Sequence, residues 1–308
     1  MRKLRFLLSV TNEDNDFQVE QADAARSTAR RIGVELEVIS AGDDGVQQIG
    51  QLLERIQSTT VRRPDAILLE PAGSTPLPQV GHAAAAAGIG WAILSRDANY
   101  LDELRSTYKV PAFVVAPDHE EIGRIQGRQL AALIPSGGTV LYIEGPSQSV
   151  AAKQRHTGMM ATKPTNIQLR GLKAHWSEIS ACKAVTSWLK LCTAKDTQIA
   201  AVCAQDDSMA MGARKALEAC THGRRDAWLA APFLGCDGMP RTGQEWVRNG
   251  LLAATVYSPP TAPIAVELMA QFFENGTMPP VRTLTETTSI PAIEALAPRA
   301  TGAGAGSR

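Results

Sequence analysis

Short, largely apolar runs recur along this chain, and an amphipathic helical stretch follows almost every one. Residues 4–10, 34–39, 65–69, 91–94, 113–116, 139–143, 167–172, 199–204, 229–235 and 253–257 read as strands, and 17–31, 46–57, 75–87, 120–134, 150–161, 178–191, 208–219, 243–249 and 262–275 read as helices. The helical stretches place apolar residues on one side, as Val19, Ala22, Ala25 and Ala29 do, or Ile49, Leu52, Leu53 and Ile56. A strand apolar on both faces must be covered on both faces. Such strands alternating with helices therefore predict parallel, doubly wound α/β sheets. A chain of 308 residues exceeds one ordinary small domain and fits two such lobes.

Lys plus Arg and Asp plus Glu are equal at 31 each, and no basic block occurs. Counterion displacement from nucleic acid or an anionic membrane needs a positive surplus, so neither is expected as partner. Cys182, Cys192, Cys203, Cys220 and Cys236 form no CxxC, and their odd number argues against a disulfide framework or a zinc site. Four of them lie in apolar or helical runs and are expected to be small buried hydrophobes. No apolar run approaches the roughly 18 residues of a membrane span. The chain starts basic and then apolar, but the apolar stretch is only 6–10 and no small-x-small cleavage site follows. It reads as the first strand, so either a signal precedes it or the protein stays in the cytoplasm, and free cysteines lean toward the second. The low-complexity tail, 297–308, is expected to be disordered.

Ligands bind doubly wound sheets beyond the carboxyl ends of the strands. Most strand ends here carry a polar or aromatic group: Ser9, Asn12 and Phe17; Glu70; Ser95 and Arg96; Asp118; Trp176; Asp206 and Asp207; Asp237; and Ser258. Several have a plain structural use, since Asp206 or Asp207 and Asp118 stand where helix N-caps are expected. Enzyme signatures are sparse. Ser180 and Lys183 match S-x-x-K inside a helical run without partner motifs, and there is no G-x-S-x-G, P-loop or G-x-G-x-x-G after a strand. The five histidines are scattered, with His119 and His175 nearest the strand ends, and Asp43-Asp44 looks like a turn and helix cap.

Four ordered segments carry a family resemblance: A-Q-D-D-S-M-A-M-G-A over 204–213, L-G-C-D-G over 234–238, G-L-L-A-A-T-V over 250–256, and the stretch 151–158 with Arg155. They resemble A-x-N-D-x-M-A-x-G-A, V-G-F-D-G, G-x-L-x-A-T-V and A-x-x-R-x-x-G of the ribose-binding-type periplasmic receptors (type I periplasmic binding proteins), whose core is shared with lactose-repressor-like regulators. The resemblance implies two lobes joined by hinge strands, 1–117 with 259–287 and 118–258 with 288–296. It also implies a periplasmic, monomeric, non-enzymatic receptor without cofactor or metal, closing around a small sugar or polyol and delivering it to an ABC permease or a membrane sensor. A ligand-sensing module and a cytoplasmic enzyme on the same fold are the alternatives; a repressor would need a DNA-binding domain before the first strand. Ser9, Asn12, Phe17, Glu70, Ser95, Arg96, Asp118, Arg155, Trp176, Asp206, Asp237 and Ser258 fall on the family's binding positions, with Phe17 and Trp176 flanking a sugar ring. The sequence departs where the family has Asp before Arg96, Asn in place of Asp206 and Asn in place of Glu70. Ser258 is also shorter than the glutamine usual there. Acid thus outnumbers base, so a plain pentose is not implied, and an amine-bearing ligand is open.

Overall fold

Every strand of the main sheets runs parallel to its neighbours, and the polypeptide divides into two units. The structure, a computed structural model, describes residues 2–73 and 75–298. In chain order the elements are β1 (Arg5–Val10), α1 (Asp16–Ile32), β2 (Glu35–Ser40), α2 (Gly45–Gln57), β3 (Ala66–Leu69), α3 (Pro78–Ala86), β4 (Gly90–Leu94), α4 (Leu101–Tyr108) and β5 (Ala112–Pro117). Next come α5 (His119–Leu133), β6 (Gly138–Glu144), α6 (Val150–Thr162), β7 (Ile167–Lys173), α7 (Glu178–Leu189), α8 (Cys192–Lys195), β8 (Ile199–Ala204), α9 (Asp207–Ala219), α10 (Arg225–Ala230) and β9 (Phe233–Leu234). The last are α11 (Gly243–Arg248), β10 (Thr255–Tyr257), α12 (Thr261–Asn275), β11 (Arg282–Thr285) and β12 (Thr288–Ile290). The first unit holds the residues up to Pro117 and Pro260–Thr285, the second Asp118–Pro259 and the described residues from Glu286 on. The tail expected to be disordered lies, from residue 299 on, outside the described residues.

The first unit has one six-stranded sheet, ordered β11-β5-β4-β3-β1-β2. Side chains alternate across it with the two-residue period of a strand. Leu7, Ile67, Leu69, Trp91 and Ile93 meet Leu52, Ile56, Val80 and Leu104 on one face. Phe6, Leu8, Leu68, Ala92 and Leu94 meet Ala22, Ala25, Ala29, Ala265 and Met269 on the other. Burying each large apolar side chain contributes about 1.5–3 kcal/mol. The second unit repeats the scheme with a sheet ordered β7-β6-β8-β9. Leu141, Ile143 and Val202 face one core and Val140, Tyr142 and Cys203 the other.

Three details differ from the sequence reading. The helices α4 and α10 were not anticipated, being short. The strand expected over 229–235 shrinks to Phe233–Leu234, because Leu229 belongs to α10 and Pro232 has no N–H for the ladder. β10 bridges the β9 segment in parallel, Leu234 with Ala254 and Asp237 with Tyr257, and also pairs antiparallel with β12, which was not anticipated. Of the cysteines, Cys203 and Cys236 are buried, Cys182 and Cys220 half-buried and Cys192 exposed; all five are free thiols.

In both main sheets the strand order reverses once, between β1 and β3 and between β6 and β8. Crevices at such reversal points are where doubly wound sheets receive ligands.

Candidate functional site

At the first reversal point, buried amides organise the strand ends. Gln48 of α2 donates through Nε2 to Ser9 Oγ and to the Glu70 carbonyl, each at 2.9 Å, and its Oε1 accepts from Ala72 N at 2.9 Å. Gln21 of α1 accepts at Oε1 from Thr261 N (3.0 Å), Thr261 Oγ1 (2.8 Å) and Ala262 N (3.3 Å). It thereby caps α12, whose own N-cap position, Pro260, offers no side-chain bond. Three donors on one oxygen settle which end of the amide is which, so Nε2 donates to Glu70 Oε2 at 3.2 Å. Ser95 Oγ donates to the same oxygen at 2.7 Å.

Arg96 spends its guanidinium on main-chain carbonyls, with Nη1 on Gly73 O at 2.6 Å and Nη2 on Pro71 O at 3.0 Å. Burial pushes the Glu70 carboxyl up to about 7, against the pull of Arg96, Ser95 and Gln21. Burial also lowers the Arg96 pKa, with Glu70 opposing.

Asn12 is used locally: its Oδ1 accepts from Asn15 N at 2.9 Å and its Nδ2 donates to Asp43 Oδ1 at 2.8 Å. Phe17 lies half-buried in the first turn of α1. Ser9, Glu70, Ser95 and Arg96 are therefore brought together, whereas Asn12 serves the turn ahead of α1.

At the second reversal point, charge does the organising. Arg155 of α6 is 7% exposed. Its Nη1 donates to the Gln205 carbonyl, its Nε to His119 Nδ1 at 3.4 Å, and its Nη2 lies 3.8 Å from Asp237 Oδ1. The guanidinium stands 5.5 Å from the centre of the Trp176 ring, within cation–π range. Burial works against this charge, but Cys236, Asp237 and Asp206 outweigh it and raise the Arg155 pKa.

Of the adjacent acids, Asp206 caps α9 by accepting from Met209 N. Asp207 is buried and accepts from Thr255 Oγ1 and Gly238 N, both at 2.7 Å. Burial, then the Asp237 charge, drives its pKa well up. A Cβ on Gly235 would run into the Asp207 carboxylate, which is why the backbone passes there as glycine.

Asp237 has φ 100°, a conformation that costs a non-glycine residue about 1–3 kcal/mol and that clusters at binding sites. Asp237 N to Val256 O (2.9 Å), Ser258 N to Asp237 O (3.0 Å) and the Gly238–Asp207 bond hold it. Trp176, with φ 54°, lies against Gly145, where any Cβ would strike the indole.

Trp176, Asp206 and Asp237 are thus assembled around the Arg155 guanidinium, and Ser258 adjoins the group through its backbone N–H on the Asp237 carbonyl. Asp118 is outside the group: it caps α5 by accepting from Glu121 N at 2.9 Å and lies 3.8 Å from Arg124. Its neighbour His119 joins the Arg155 group instead. Ser180 donates to Ser177 O at 2.9 Å and accepts from His175 N at 2.9 Å, a capping role at the start of α7. Asp44 caps α2, as its place after Gly42 suggested.

Sequence reasoning missed Gln21, Gln48 and Gln205, and named Asp207 only as a strand-end acid or helix cap. Gln205 donates to Tyr142 OH (2.8 Å) and Ala152 O (2.9 Å) and accepts from Gly145 N (2.9 Å). The only signal for it was its place at the end of β8.

A two-unit α/β fold with a polar group at the reversal point of each sheet defines a class of proteins that bind small solutes. The chain belongs to the periplasmic binding protein domain family, whose pattern matches residues 6–276. It is 27% identical over 256 residues to the ribose import binding protein of Salmonella typhimurium, covering 83% of this chain and 79% of that one. Among solved structures, a periplasmic solute binding protein from Actinobacillus succinogenes with bound D-allose superposes with a TM-score of 0.79 at 24% identity, covering 95% and 98% of the two chains. A Bacillus halodurans solute binding protein with bound myo-inositol gives 0.75 at 23% identity, covering 95% and 96%. The family and these relatives are binding proteins.

Proposed function

We propose that this chain is a solute receptor that binds a sugar or polyol and hands it to an ABC importer. The observation that carries the reading is the pair of pre-organised polar groups, one at each sheet reversal, in a chain whose family consists of periplasmic binding proteins. In the first unit Glu70, Ser95 and Arg96 are the groups offered to a ligand, with the Phe17 ring as an apolar face; in the second they are Arg155, Asp206, Asp237 and Ser258, with the Trp176 ring. Carboxylates and guanidinium suit hydroxyl groups, since bonds to charged partners contribute about 1.5–3 kcal/mol each. A few of these reach the ~8 kcal/mol of a micromolar complex after association costs.

The chain crosses between its units at Pro117–Asp118, Pro259–Pro260 and Thr285–Glu286. A ligand that binds one form of the protein more tightly than another shifts the balance toward that form by its differential affinity for the two. Periplasmic location, a monomeric state and delivery to a permease rather than a sensor belong to this proposal. Titration calorimetry against a panel of hexoses, pentoses and inositols tests it: micromolar binding, with compaction in small-angle scattering, is expected. Silence across the panel would refute the receptor reading.

A further inference from the structure

The Glu70 carboxyl has one oxygen in use and one to spare. Oε2 takes the hydrogen bonds from Ser95 and Gln21, whereas Oε1 takes none from the described residues. The residue is 5% exposed and stands at the end of β3, beside the reversal point, so Oε1 keeps its accepting capacity for a further donor there.

Arg96 is the charged group that acts on Glu70, and its Nη1 and Nη2 are committed to Gly73 O and Pro71 O. The other groups packed here, Ser9, Gln21, Gln48, Ser95 and Thr261, are neutral. A desolvated carboxylate that takes its hydrogen bonds only from neutral donors, with the nearby guanidinium bonded to carbonyls, keeps part of its burial cost until a further cation meets it.

We propose that Glu70 Oε1 receives a protonated amine of the ligand, so that the receptor prefers an amino sugar or amino polyol to the matching hydroxyl compound. This rests on the receptor reading above and narrows its ligand class. An ammonium against Oε1 makes a charge-assisted bond that a hydroxyl cannot equal. It also requires the ionised carboxyl. In the free protein burial holds that group at about 7, so binding below that pH must release a proton. Affinity for the amine then rises with pH by up to about tenfold per unit below 7, and turns down again once the ligand amine, whose pKa lies at about 8 beside its hydroxyls, loses its own proton.

The test is calorimetry with matched pairs (D-glucose and D-glucosamine, D-galactose and D-galactosamine, inositol and an aminodeoxyinositol) at pH 5.5 and pH 7, where the amines stay protonated, on wild type, Glu70→Gln and Ser95→Ala. At least one amine is expected to bind about tenfold or more tighter than its partner at pH 7, with that ratio shrinking about tenfold at pH 5.5. Glu70→Gln should bring the ratio near one and flatten the pH response. Ser95→Ala, which removes a donor from Oε2 and leaves Oε1 intact, should keep the preference and move its midpoint to higher pH. Hydroxyl members that bind as tightly as their amines in wild type would overturn the proposal while leaving the receptor reading intact. Survival of the preference in Glu70→Gln, or an unmoved midpoint in Ser95→Ala, would do the same. Silence from every member overturns the receptor reading itself.

Discussion

At the first unit's strand ends a single carboxyl, Glu70, rests among amides and hydroxyls, whereas the second unit gathers Asp206, Asp207 and Asp237 near one guanidinium. The fold and the reversal of strand order are the same in both. What differs is how buried charge is tolerated. In the first unit Arg96, then the neutral donors Ser95 and Gln21, blunt the cost of burying Glu70 without removing it, and its pKa rises to about 7. In the second, Arg155 offsets the acids directly, and its own charge is reinforced by them. Truncating the central group should therefore have opposite consequences in the two units.

The largest effect is expected from Arg155→Met. It leaves Asp237 and Asp206 buried without their cation and the Gln205 carbonyl without its donor. Removing one partner of a buried ion pair costs about 3–5 kcal/mol. Urea unfolding followed by tryptophan fluorescence reads the second unit selectively, because Trp176, Trp188, Trp228 and Trp246 lie there and only Trp91 in the first. A loss under about 1 kcal/mol would mean that the carboxylates are not balanced by Arg155 at all.

Glu70→Gln should do the reverse. The folded-state pKa lies above the unfolded value, 4.5 rising to about 7. The folded chain therefore holds a proton that the unfolded chain releases between those values, and stability falls as pH climbs through that window. The amide never ionises, so the variant should match wild type near pH 5 and exceed it at pH 8, by up to about 3 kcal/mol. Parallel stability curves for the two proteins from pH 5 to 8 would contradict the contrast between the units.

A middle-sized effect isolates the neutral scaffold. Gln21→Leu deprives Thr261 N, Thr261 Oγ1 and Ala262 N of their acceptor and Glu70 of a donor. Loss of a cap together with unsatisfied buried donors should cost about 2 kcal/mol. Amide exchange ought to speed up first at the start of α12. Protection unchanged there would show that the helix start is held by something other than Gln21.

The strands were legible because a run buried on both faces must be apolar throughout, as residues 66–69 and 199–204 are. The strand-end groups Ser9, Glu70, Ser95 and Asp237 were expected from where doubly wound sheets take ligands, and Arg155, which stands on a helix, from the family resemblance alone. The glutamines were not legible. Gln21 sits in a helix among polar residues and reads as solvated, and the groups that bury it are 240 positions away at Thr261. Nor could the sequence say which of two adjacent acids would cap α9, since either can stand at that position. Only the depth of Gly235 and Gly238 against Asp207 decides it. Short helices such as α4 carry too few turns for a periodicity to register.

The smallest expected effect concerns Asp118, a binding position by resemblance and a helix cap by geometry. Its Oδ1 accepts from Glu121 N, and its exposed carboxylate lies 3.8 Å from Arg124, outside the Arg155 group. Replacing a capping Asp by Ala costs about 1 kcal/mol, whereas Asn caps nearly as well. Asp118→Ala should therefore lose about that much stability and Asp118→Asn almost none. Ligand affinity should change less than about twofold in both, because less than ~0.5 kcal/mol is expected of an exposed charge that does not reach the ligand. Should Asp118→Asn weaken ligand binding tenfold while stability holds, the carboxylate is a ligand contact. The second unit would then spend its acids on the ligand as well as on Arg155, and the contrast with Glu70 would need to be redrawn around ligand charge rather than around how each unit buries its own.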